Sequence, residues 1–128
     1  MDKIIGIYFC ETAIVDSRTN QLSLISIFEE LALPALPAVL AKISLVIILE
    51  NGNPHVSDSE DTPITIEIYN NDKKLYEQHS RIKYLGKTYA RLIMQLNGLP
   101  IREVGQLTIT TKTSSSTEKK ELPIKLLS

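Results

Sequence analysis

The chain has 128 residues, of which 43% are hydrophobic, and its 14 basic and 15 acidic side chains leave a formal net charge of -1. This length and apolar content suit one folded domain over residues 1–128 and argue against disorder. The balanced charge creates no long-range field to hold a polyanion, so nucleic acid is not expected as a partner.

In chain order, residues 4–15 are apolar on both faces, as in a strand covered from two sides. Asp16-Ser17-Arg18-Thr19-Asn20 is a polar turn cluster, and the alternating run at 22–28 completes a hairpin. Residues 31–41 carry no charge. A helical turn is admissible between Phe28 and Ala41, but Pro34 and Pro37 keep it short. Ile43-Ser44-Leu45-Val46-Ile47-Ile48-Leu49 is the most apolar stretch and predicts a central strand.

Beyond a polar loop at 50–63, Ile64, Ile66 and Ile68 alternate with Thr65, Glu67 and Tyr69, a half-buried strand. Asn70-Asn71-Asp72 supplies residues that tolerate a left-handed backbone and predicts a tight turn. Residues 75–84 are polar enough for an edge strand, as are 119–126. Ala90, Leu92, Met94 and Leu96 share one face of a strand that Gly98 and Pro100 are expected to break. Leu107, Ile109 and Thr111, then Leu122, Ile124 and Leu126, complete the pattern around a Ser114-Ser115-Ser116 loop. Strands at this spacing, with no long helical period, predict an all-β chain: an antiparallel β-sandwich of about seven or eight strands.

Cys10 is the only cysteine, so no internal disulfide forms, which fits a cytoplasmic protein. Asp2 and the short apolar run after it make a poor export signal. Pro34, Pro37 and Lys42 interrupt the apolar segment 31–49, so no membrane span is expected. No Asn-x-Ser/Thr acceptor occurs.

The pieces Cys10-Glu11, Asp16, Leu22-Ser23-Leu24-Ile25, Ile27-Phe28, Pro37 and the strand from Gly105 onward form one pattern along most of the chain. It resembles an uncharacterised bacterial family of small single-domain proteins, a domain of unknown function. Ser26 stands where that family commonly has Gly, and Leu107 where an aromatic often follows the late Gly. The resemblance implies an immunoglobulin-like sandwich and brings no activity, cofactor or catalytic residue.

Four groups of residues are candidates for function. Cys10 beside Glu11 would be a nucleophile only with a base such as His55 or His79 nearby; a small apolar group in a covered strand is the plainer reading. Asp58, Glu60 and Asp61, with Asp16 from another loop, are weak candidates for calcium ligands, against a solvated acidic loop. One cysteine and two distant histidines make no zinc set. Leu33, Leu36, Val39 and Leu40 either close the end of the sandwich or offer an apolar surface to a protein partner or a second copy. Lys73, Lys74, Arg81, Lys83, Lys87 and Arg91 read as a solvated face unless neighbouring strands bring them together. Hydroxyls from Thr108 to Thr117 are ordinary for the wet face of a strand. No phosphate loop, nucleophile elbow or metal-hydrolase motif is present. The expectation is a non-catalytic protein-interaction domain without cofactor; the alternative is a calcium- or small-ligand-binding sandwich acting on a surface or particle.

Overall fold

The structure, a computed structural model, describes residues 2–52 and 62–127. The described residues form nine strands and no helix. They are β1 (Lys3–Val15), β2 (Leu22–Ile27), β3 (Leu31–Leu33), β4 (Ala38–Glu50), β5 (Thr62–Asn70), β6 (Lys73–Ile82), β7 (Tyr89–Ile101), β8 (Gly105–Lys112) and β9 (Thr117–Leu126). One sheet has the order β2-β1-β4-β7 and the other β3-β9-β8-β5-β6. All neighbours are antiparallel except β3 and β9.

Period-two alternation builds the core. Leu45, Ile47 and Leu49 of β4 join Ile64, Ile66 and Ile68 of β5, and Leu107 and Ile109 of β8. As predicted, β4 is central, held between β1 and β7. The hairpin of β1 and β2 and the turn at Asn71, whose φ is 55°, also form where the pattern places them.

β1 is not covered along its whole length. Residues 3–10 pair with β4, but from Cys10 to Val15 the strand pairs with β2 alone. The ribbon so formed doubles back over the outer face of its sheet. Arg91 of β7 lies opposite Ile48, which lies opposite Gly6, and yet its Nη2 donates to the carbonyl of Asn20 at the ribbon tip. A ribbon continuing outward from Cys10 would carry Asn20 far from that level. Val46, which lies on the opposite face to Leu45 and Ile47, is completely buried as well. Ile14, Ile25 and Ile27 remain exposed on the ribbon.

Three other expectations are corrected. β7 does not end before Gly98 but runs on to Ile101. Gly98 takes φ +77°, and the inward residues change there from Met94 and Leu96 to Leu99 and Ile101. Pro100 is tolerated because β7 is an edge strand and needs no donor on its open side. The connector holds no helical turn: Leu31–Leu33 form the short parallel strand β3, residues 34–37 bend, and the Leu36–Pro37 bond is cis. β3 therefore flanks β9 at Ile124–Leu126, so β9 is not an edge over that stretch, whereas β6 is an edge as expected.

Candidate functional site

The four connector residues divide by burial. Leu33, Leu36 and Leu40 are half-buried and pack against the core. Val39 is 65% exposed and lies opposite Pro100. With Pro37, Ala38 and Arg102 these two residues line a shallow depression of about 400 Å3. The register brings more apolar surface to this end of the sandwich. Ala38 pairs with Ile101, the chain turns through Val104 to Gly105, and Gly105 pairs with Ile124. Val104, Leu126 and Leu127 are all at least half exposed there.

Of the calcium candidates, only Asp16 lies among the described residues. Asp58, Glu60 and Asp61 lie outside the described residues. The Asp16 Oδ1 accepts the amides of Arg18 at 2.8 Å and Thr19 at 3.2 Å, which shape the ribbon turn and hold its carboxyl below the usual range. Among the described residues no group of three or more His, Cys, Asp or Glu side chains could hold a metal ion. Cys10 is fully buried, its thiol lying 3.6 Å from the carbonyls of Thr12 and Ser44. Burial pushes that thiol up, which disfavours the nucleophilic thiolate. His55 lies outside the described residues, and His79 is exposed on β6, the edge strand of the other sheet.

The cationic residues split into two groups. Lys73 pairs with Glu103 at 3.1 Å, and Lys74 bridges Glu67 and Glu77. Glu67 also accepts from the Tyr69 hydroxyl at 2.8 Å and pairs with Lys112 at 3.1 Å. Lys74 first, then Tyr69 and Lys112, pull the Glu67 carboxyl down to about 2. This network tethers β5 to both its neighbours.

Arg81, Lys83, Lys87 and Arg91 instead line one cleft of about 700 Å3 between the end of β6, the start of β7 and the ribbon tip. The connector from β6 to β7 turns through left-handed Leu85 and Gly86. It is fastened by Lys87 N–H to the Tyr84 carbonyl at 3.0 Å and by Asn51 N–H to the Thr88 carbonyl at 2.7 Å. Tyr84 is buried, which together with Asp2 raises its phenol. Leu22, Ile48 and Leu92 supply apolar lining, and Tyr89 stands 54% exposed at the wall. No described carboxylate lines the cleft. Arg91 Nη1 is buried without a hydrogen-bond partner among the described residues. The sequence marks the cations, but Asn20 and Leu22 reach this cleft only because the ribbon folds back.

The fold defines a two-sheet all-β protein, and none of its described helices, there being none, is long and apolar enough to cross a membrane. Within that class, the chain belongs to the family of unknown function DUF6941, whose family model matches residues 6–126. No curated protein matches it.

Proposed function

We propose that the chain is a non-catalytic protein-interaction domain, immunoglobulin-like in general form, in a bacterial cytoplasm. The observation that carries this reading is the apolar end of the sandwich. Val39, Val104, Leu126 and Leu127 stay exposed around the half-buried Leu33, Leu36 and Leu40. Exposed apolar surface gathered at one place, rather than scattered singly, is how a docking surface differs from an ordinary one. Arg102 at its border suits a polar rim.

The test is capture of the tagged protein's partner from its native cells, with Val39→Glu as the variant, since Val39 is mostly exposed and its replacement should leave melting unchanged. A partner kept by the wild type and lost by Val39→Glu, then rebuilt from purified components, is the expected result. Equal retention by that variant, or loss only in Ile25→Glu on the ribbon, would remove the surface from this reading. Sedimentation of the pure protein decides whether the partner is a second copy.

A small-ligand role is the second reading, and the cleft between β6, β7 and the ribbon tip supports it. Calcium draws no support from Asp16, whose turn already uses one of its oxygens.

A further inference from the structure

We propose that the cleft beside Arg91 binds a small organic phosphate through Arg81, Lys87 and Arg91. This deepens the small-ligand reading of that cleft and is independent of docking at the apolar end. Three features support it.

The first is charge. Arg81, Lys87 and Arg91 all line the cleft, and no described carboxylate is part of its lining. Elsewhere on the molecule Lys73, Lys74, Lys112 and Lys125 each have a carboxylate partner. Arg81, Lys87 and Arg91 make no ion pair with any described residue. Bringing these three like charges together with no described counter-charge costs energy that a bound anion would offset. The second feature is Arg91 itself. Its Nη2 is committed to the Asn20 carbonyl, and its buried Nη1 has a proton to donate and no acceptor among the described residues. A planar guanidinium held at one nitrogen is oriented to present the rest of its fork to phosphate oxygens. The third is size and lining. A cleft of about 700 Å3 accepts more than an inorganic ion, and Leu22, Ile48, Leu92 and the exposed Tyr89 ring offer apolar and stacking surface for an organic group.

The experiment is thermal melting and calorimetric titration of the full chain at low salt with pyrophosphate, adenosine monophosphate and adenosine. The nucleotide serves as a probe combining phosphate with a planar group. The expected result is binding of adenosine monophosphate that weakens as salt rises, with adenosine at least tenfold weaker, as loss of charge-assisted hydrogen bonds implies. Arg91→Gln and Lys87→Gln should each raise the Kd about tenfold on the same basis. Because Arg91 also holds the ribbon tip, Lys87→Gln and Arg81→Gln carry the result if Arg91→Gln melts early. Equal binding of adenosine would overturn the phosphate assignment and leave a small-ligand cleft. Binding by none of the probes, or binding unchanged in Lys87→Gln and Arg81→Gln, overturns the proposal; the former also removes the support for the second reading.

Discussion

Glu67 illustrates how single side chains set the molecule's response to pH. Its carboxylate, drawn down to about 2, is held by Lys74, Tyr69 and Lys112 on three different strands. A carboxylate depressed in the folded state stabilises the fold above its unfolded value, and that contribution is lost as pH falls through the folded value. The window here runs from the ordinary glutamate value of 4.5 down to about 2. Melting temperature should therefore drop across that interval, and Glu67→Gln should flatten the drop while lowering stability at neutral pH. Melting curves recorded across acid pH check both effects. Ser26 is a second case. It sits at φ 58° within β2, where the resemblance noted above places Gly. A left-handed L-residue carries strain of about 1–2 kcal/mol, partly balanced by the larger unfolded entropy of Gly. Ser26→Gly should accordingly gain about 0.5 kcal/mol in urea unfolding.

At the scale of elements, the turn after β5 does more than reverse the chain. The Asn70 side chain accepts the amides of Arg102 at 2.9 Å and Glu103 at 3.1 Å, and it donates to the Glu103 carbonyl at 3.2 Å. Asn71 accepts the Gln106 amide at 2.9 Å and donates to the Val104 carbonyl at 3.1 Å. Two adjacent asparagines thus clamp the β7–β8 turn, which belongs to another part of the sequence. Gly105 is required beside them: at φ +134°, a Cβ there would lie 2.1 Å from the Asn71 oxygen. Asn70→Ala leaves two part-buried amides unmatched and should cost about 1–3 kcal/mol. Equilibrium urea unfolding measures that loss directly, and an unchanged midpoint would show that the clamp does not contribute.

Across the whole molecule, the two sheets share a core whose centre is β4. Ile47 is fully buried there, between Ile7 of β1 and Leu92 of β7. An aspartate at this position has no counter-charge within the core, and the cost of burying it exceeds the margin by which domains of this size are stable. Ile47→Asp should fail to fold, read as lost cooperative melting and insolubility. β6 and β7 close one side of the sandwich, and β2 and β3 terminate the other edges of the two sheets. The edge of β7 carries a single charge, Arg91, so its far end is guarded by Gly98 and Pro100 instead.

Much of this architecture was legible in the residues themselves. Alternation at Ile64, Ile66 and Ile68 and the apolar run through Ile47 are local signals, because a strand's faces follow from a period of two. The Asn70-Asn71-Asp72 turn is equally local, being a matter of which residues accept a left-handed backbone. The all-β class, the first hairpin and the central place of β4 follow from such signals. Other features depend on residues far apart in the chain. Whether residues 4–15 are covered throughout depended on where β2 could lie, and only the tertiary structure sends that ribbon back to Arg91. The connector read as uncharged, yet its division into half-buried leucines and an exposed Val39 arises from β3 pairing with β9 and the start of β4 pairing with β7. The cations looked alike as a set; their separation into the Glu67 and Glu103 pairs and the cleft beside Arg91 came from which strands became neighbours. Period and turn chemistry act between adjacent residues and are written in the sequence alone. Partner choice, burial and charge convergence are set by contacts between distant segments, and those exist only in the folded chain.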